Sequence, residues 1–212
     1  MAAGTELSAY AAEIAGCTRC RLAEGRTQVV FGNGDPNADL MFVGEAPGFH
    51  EDKQGYPFVG QAGRLLDQLL AGIGLARDKV FVANVLKCRP PGNRDPMPDE
   101  IEACEPHLFR QIELIEPKVV ATLGNFSTKL LSGKPTGITR VHGEPQEVTL
   151  GGRQVLLYPI YHPAAALYTP SMLNVLREDF ARIPELLGRA IEPAPEPEPL
   201  LVSEPAVQLG LF

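Results

Sequence analysis

Four short apolar runs, at 39–43, 80–85, 118–123 and 155–161, punctuate the chain. None alternates apolar and polar residues as a half-exposed strand would, so each reads as a strand covered on both faces. The segments between them carry the helical period instead. Residues 61–73 place Leu65, Leu66, Leu69, Leu70 and Ile73 on one stripe. Residues 99–115 do the same with Ile101, Leu108, Ile112 and Ile115, behind a start marked by Pro96 and Pro98. A further helical pattern at 173–187 closes the folded part. Strands alternating with helices predict an α/β fold: a three-layer α/β/α sandwich around a central, mainly parallel, four-stranded sheet.

Each apolar run leads into a distinctive group. The first enters Gly44-Glu45-Ala46-Pro47-Gly48, the second ends at Asn84, the third at Leu123-Gly124-Asn125, and the fourth at His162-Pro163. Open parallel sheets bind ligands at the carboxyl ends of their strands. Glu45, Asn84 and His162 are therefore expected to converge, although far apart in sequence. Taken singly, each would pass as an ordinary polar residue at the start of a loop.

Composition divides the chain in two. Residues 1–190 are ordinary globular sequence, and 191–212 are rich in Pro and Glu, which predicts a disordered tail. Of the net charge of −7, four glutamates in 191–212 account for −4, leaving −3 on the rest. Any nucleic-acid contact must then be a local patch rather than a generally basic face. No apolar run reaches the ~20 residues of a membrane span, and the first residues lack the basic start of a secretory signal. The expectation is a cytoplasmic, monomeric protein with no membrane association.

The four cysteines are Cys17, Cys20, Cys88 and Cys104: a C-x2-C pair, a long gap, and a second, wide pair. Disulfides are disfavoured in a cytosolic chain, and a metal site of four thiolates suits the pattern. Zinc and a 4Fe–4S cluster both accept such ligands. The wide second pair, with Cys104 inside a helix, leans toward iron–sulfur and leaves zinc open.

The stretches GEAPGFHEDKQGYPFVGQAG, NVLKCRPPGNRDP and YHPAAALYTP, in this order and with the four cysteines, closely resemble the iron–sulfur family 4 uracil-DNA glycosylases. The match runs from about Cys17 to Leu187. The resemblance implies a 4Fe–4S cofactor, the uracil-glycosylase fold, and uracil-containing DNA as substrate. It implies that Glu45, Ala46 and Pro47 lie beside the scissile bond and base, and that Phe58 stacks on the flipped uracil. Asn84 would pair with the uracil edge and His162 would face O2. Glu51 would sit near the base, excluding a 5-methyl group; it is also the second candidate, after Glu45, for the catalytic carboxylate that stabilises the sugar cation and orients water. Ala46, and the lack of a basic insertion between Lys87 and Pro96, imply hydrolytic turnover rather than covalent trapping. The family's frequent Arg-Asn-Pro is replaced here by Tyr168-Thr169-Pro170.

The residue types suit that chemistry. An amide carries both a donor and an acceptor, so Asn84 matches uracil O4 and N3–H and mismatches cytosine. A carboxylate at Glu45 would stabilise an oxocarbenium-like sugar, and a donor at His162 the leaving anion. Lys87, Arg89, Arg94, Arg140 and His142 are candidate phosphate contacts, Gly60–Gly63 candidate amide donors, and Leu167 and Tyr168 a candidate wedge at the vacated base. The chain closes on Gln208-Leu209-Gly210-Leu211-Phe212, which resembles the short peptide by which bacterial repair proteins bind the sliding clamp.

Overall fold

The computed structural model of the protein describes residues 3–188. Its helices and strands follow in the order α1 (Ala3–Ile14), β1 (Asn33–Gly34), β2 (Leu40–Gly44), α2 (Phe49–Gln54), α3 (Gln61–Gly72), β3 (Phe81–Asn84), α4 (Pro98–Ile115), β4 (Val119–Leu123), α5 (Asn125–Ser132), β5 (Gln146–Leu150), β6 (Arg153–Ile160), α6 (Ala164–Tyr168), α7 (Met172–Ala181) and α8 (Ile183–Gly188).

The strands form one sheet in the order β1-β3-β2-β4-β6-β5. Its centre, β3-β2-β4-β6, is the expected set of four parallel strands, with Phe42 opposite Val82 on one side and Ala121 on the other. Every residue of β2, β3 and β4 is buried, which is why these runs show no alternation. Successive residues serve two cores. Met41 and Val43 point toward Leu108 and Ile112 of α4 and Leu131 of α5, with Leu7 of α1 in the same cluster. Leu40 and Phe42 point toward Leu66 and Leu70 of α3, Leu176 and Phe180 of α7, and Leu186 of α8. The period-2 geometry of a strand thus feeds two helical layers at once.

The four-stranded sheet needs correcting to six strands, because two antiparallel edges escaped the pattern. β1 is only Asn33–Gly34, too short for a hydrophobic signal. β5 is half exposed, and it turns into β6 through Gly151 and Gly152, both at positive φ, as a two-residue hairpin requires. The closing helix expected over 173–187 is two helices, α7 and α8. Pro184 has no N–H to continue the ladder, so the chain restarts there. No described helix is long and apolar enough to cross a membrane. The tail expected at 191–212 lies outside the described residues.

Candidate active site

At the carboxyl ends of β2, β3 and β6 lies a cleft of about 520 Å³. Glu45, Ala46, Pro47 and Gly48 enter it from the turn after β2, Asn84 from the end of β3, and His162 from the turn after β6. Phe58, from the loop between α2 and α3, lines the same cleft. The structure therefore brings Glu45, Asn84, Phe58 and His162 together.

Two glycines make this approach possible. A Cβ on Gly44 would stand 2.4 Å from Asn84 Oδ1 and 2.9 Å from the Phe58 ring, so any larger residue would push into both. Gly124, after β4 at φ +101°, leaves room for the His162 side chain, whose Cβ would be 3.2 Å from an added Cβ.

The Phe58 ring stacks on the His162 imidazole, with centroids 5.4 Å apart and 27° between planes. Its backbone takes a left-handed φ of +55°, which costs a residue with a Cβ about 1–2 kcal/mol. Two contacts hold it there. Arg77 donates from Nη2 to the Phe58 carbonyl at 3.0 Å. Gly63 lies so close under that carbonyl that a Cβ would meet it at 1.6 Å. Gly63 thus serves packing under Phe58.

His162 accepts the Ala164 N–H on Nδ1 at 3.1 Å, so the proton of the neutral ring sits on Nε2. Burial pushes its pKa down to about 4, and the ring is neutral at physiological pH. Nε2 has no hydrogen-bond partner among the described residues. Glu45 is held above the usual carboxylate range by burial first and by the nearby charge of Asp95 second. Glu51 also lines the cleft, but its carboxylate accepts the Gly48 N–H and caps α2. Its visible work is to hold the wall beside Pro47.

The phosphate candidates separate. Lys87 needs correction: its side chain is buried, with Nζ donating to the Asn84 carbonyl at 2.7 Å and to Gln111 Oε1. A lysine in that position cannot reach a phosphate. Arg94 lines the cleft, but its guanidinium forks onto the buried Glu100 carboxylate. His142 is committed to Asp179, at 3.1 Å from Nδ1 to Oδ2. Arg140 lies exposed in the turn before β5, outside the lining of the cleft. Arg89 donates to Asn93 Oδ1 at 2.7 Å, and Asn93 lines the cleft. Leu167 and Tyr168 stand exposed on α6, beyond the lining residue Ala164.

Behind the cleft is a second, enclosed pocket lined by all four cysteines. Three of the sulfurs meet an N–H or ring nitrogen. The Lys87 amide donates to Cys104 Sγ at 3.2 Å, Arg26 Nη1 to Cys88 Sγ at 3.5 Å, and His107 Nε2 stands 3.4 Å from Cys17 Sγ. The other His107 nitrogen is 2.6 Å from the Tyr10 hydroxyl. Burial pushes the Cys104 thiol up to about 11 and raises Cys88 as well. Among the described residues no three His, Cys, Asp or Glu side chains close around a single ion. Arg26, His107, Gln111, Arg77 and Glu100 carry no mark in the sequence, because their partners lie mostly 14 to 97 residues away. Only the capping position of Glu100, three residues after Met97 and behind Pro98, had a local signal.

The profile of the Uracil DNA glycosylase superfamily matches residues 31–183, from before β1 to the start of α8. A type-4 uracil-DNA glycosylase of Sulfurisphaera tokodaii is 51% identical over 179 residues, covering 82% of this chain and 81% of the relative. Type-4 uracil-DNA glycosylases of Archaeoglobus fulgidus and Saccharolobus solfataricus are each 47% identical, covering 84% and 86% of this chain and 91% and 87% of the relatives. The matched span contains the whole sheet and every cleft residue named above, and on that basis the chain belongs to the uracil DNA glycosylase superfamily.

Proposed function

We propose that the protein is a uracil-DNA glycosylase, which flips uracil from DNA and hydrolyses its N-glycosidic bond to leave an abasic site, beginning base-excision repair. The observation that carries this is the cleft itself: a buried amide at Asn84 beside a Phe58–His162 stack, with the Glu45 carboxylate at the next strand end.

Flipping costs a few kcal/mol, and stacking on Phe58 with edge hydrogen bonds to Asn84 offsets it. A backbone held in the left-handed region keeps the Phe58 ring in place before the base arrives. The Asn84 amide donates to O4 and accepts from N3–H, an arrangement that leaves polar groups unpaired against cytosine. His162 presents Nε2–H toward O2 and stabilises the negative charge that grows on uracil as the C1′–N1 bond breaks. The electron pair of that bond leaves with the base. A water adds its oxygen to C1′, steered by the Glu45 carboxylate, which takes the water proton and passes it to the uracil anion. The raised pKa of Glu45 makes it a better base than an exposed carboxylate. Ala46, Pro47 and Glu51 shape the wall beside the base. Arg89, Arg94 and Arg140 are the remaining phosphate candidates, and Leu167 and Tyr168 the wedge.

Cys17, Cys20, Cys88 and Cys104 fit a 4Fe–4S cluster. Their sulfurs line one pocket, and burial of the thiols calls for a cationic centre to draw off their protons. The cluster would serve as a covalent tie between the N-terminal segment, the loop after β3 and α4. About four irons per chain in the purified protein is the expected result; stoichiometric zinc without iron would replace it. Placement in the cytoplasm, a monomeric state and a folded domain over 1–190 complete the reading. Gln208, Leu209, Leu211 and Phe212, outside the described residues, would bind a sliding clamp, and a chain ending at Val207 should lose that affinity alone.

The function is tested by incubating the protein with an oligonucleotide carrying one uracil, followed by alkaline cleavage of abasic sites. Strand scission at the uracil position is expected, and an intact strand would overturn the reading.

A further inference from the structure

Five large apolar side chains stand well exposed among the described residues: Phe49, Tyr56, Met97, Leu167 and Tyr168. Each lies within four residues of one that lines the cleft, namely Gly48, Phe58, Arg94 or Ala164. Solvent-exposed apolar groups collected around one opening mark a contact face. Leu167 and Tyr168 belong to α6. Phe49 belongs to a different wall and has different company.

Phe49 opens α2 directly after Gly48 and is 45% exposed. Lys53, one turn later on the same helix, lays Nζ over its ring at 4.5 Å from the centroid. Arg89, from the loop after Cys88, lays its guanidinium over the same ring at 5.1 Å. The Arg89 side chain is steadied by its hydrogen bond to Asn93, itself part of the cleft wall. Neither cation is ion-paired with a carboxylate among the described residues, whereas the neighbouring Arg21 and Arg94 both are. In a chain of net charge −7, the ring gathers two positive charges that have no carboxylate partner among the described residues. An aromatic face with guanidinium and ammonium groups is the chemistry that holds a nucleotide of a single strand, by stacking and by phosphate contact.

We propose that Phe49, Lys53 and Arg89 form a nucleotide-binding platform on the cleft rim, which takes the base and phosphodiester adjoining the flipped uracil, separately from the α6 wedge. This rests on the reading of the cleft as a uracil site. The platform joins two walls of the cleft, since Phe49 comes from α2 and Arg89 from the loop that carries Cys88. It reads no sequence, because any base presents a face for stacking.

The test uses single-stranded oligonucleotides that carry one tetrahydrofuran abasic analogue and are lengthened one nucleotide at a time on either side. Wild-type affinity should step up as one flank reaches the platform. Phe49→Ala should lose that step, about tenfold in Kd, the scale of one base stack. Lys53→Gln with Arg89→Gln should lower the slope of log Kd against log salt by about 1.4, for two lost phosphate contacts on a single strand. Both variants should keep the wild-type Tm and wild-type affinity for free uracil base. Phe49→Ala binding every length as wild type does would overturn the platform. So would loss of Tm or of free-uracil affinity alongside DNA affinity, since that pattern belongs to a structural role. A wild-type protein that binds these strands in steps but releases no uracil from an oligonucleotide carrying one would sink the functional reading and leave the platform standing.

Discussion

The cleft and the cysteine pocket are built from the same kind of material, buried polar side chains at the ends of strands and helices, yet they use it in opposite ways. The two histidines make the contrast. His107 has one ring nitrogen against the Tyr10 hydroxyl and the other against Cys17 Sγ, so nothing is left over. His162 has Nδ1 tied to the Ala164 N–H and presents Nε2 to the cleft. Burial lowers the pKa of both. A polar group whose every valence is met holds structure together, whereas one left open in a partly dry cleft is available to a ligand. Lys87 joins the regions: its amide donates to Cys104 Sγ, and its ammonium donates to the Asn84 carbonyl. The backbone of the expected uracil reader is thereby anchored to the cysteine pocket.

The largest expected effect comes from closing the open valence. His162→Ala and Glu45→Ala should each cut single-turnover uracil excision by about 10²-fold or more while circular dichroism stays native. Rates near wild type would mean that the open side chains of the cleft do no chemistry and that the contrast is only one of packing.

The next effect tests the join. Lys87→Met leaves the Asn84 carbonyl and Gln111 Oε1 buried without their donor, at a cost of about 2–4 kcal/mol. At the size of this domain that lowers Tm by roughly 5–15 °C. Lys87→Arg should recover part of the loss if charge is what matters. An unchanged Tm would show that the two regions are independent.

Acid should weaken the cleft before it weakens the bulk of the fold. The folded-state pKa of His162 is depressed to about 4 from 6.5, so the unfolded chain binds a proton that the native one refuses. The stability tied to His162 is full above pH 6.5 and is lost as pH falls toward 4. Melting temperatures measured across that window should fall more steeply for wild type than for His162→Gln. Parallel curves would place the acid sensitivity elsewhere.

The smallest effect is the most specific. In the proposed mechanism Glu45 is ionised when it steers water, and its pKa is raised, so excision should decline as pH falls through a limb set above the ordinary glutamate range. Asp95 contributes to that rise, and Asp95→Asn should move the limb a little toward acid without changing the plateau. A limb that does not move would detach Glu45 from it.

The parallel core, the ends of its strands and the cysteine set were legible in the sequence because each has a local mark. A strand covered on both faces must be apolar throughout, and β2, β3 and β4 are. Gly44, Glu45 and Asn84 interrupt those runs where the sheet stops. The edge strands left no such mark: β1 is two residues long, and β5 pairs on one side only. Local reading also misplaced Lys87, since a lysine in a loop is ordinarily solvated, and only the packing of α4 against β3 puts Gln111 where it can share the ammonium.

What the sequence determined by itself was therefore the order of apolar runs and the residue types that close them, because both follow from burial and from chain geometry over a few residues. What the tertiary structure alone decided was which polar groups are spent and which stay open. That His107 spends both ring nitrogens, that Phe58 is held left-handed under Arg77 and over Gly63, and that Lys87 shares its ammonium with Gln111 depend on partners 14 to 97 residues away, whereas His162 is tied only to Ala164 two residues on and keeps Nε2 available. The physical reason is that a hydrogen bond is satisfied by position in space, and no local pattern of residue types records which distant group will stand 3 Å away.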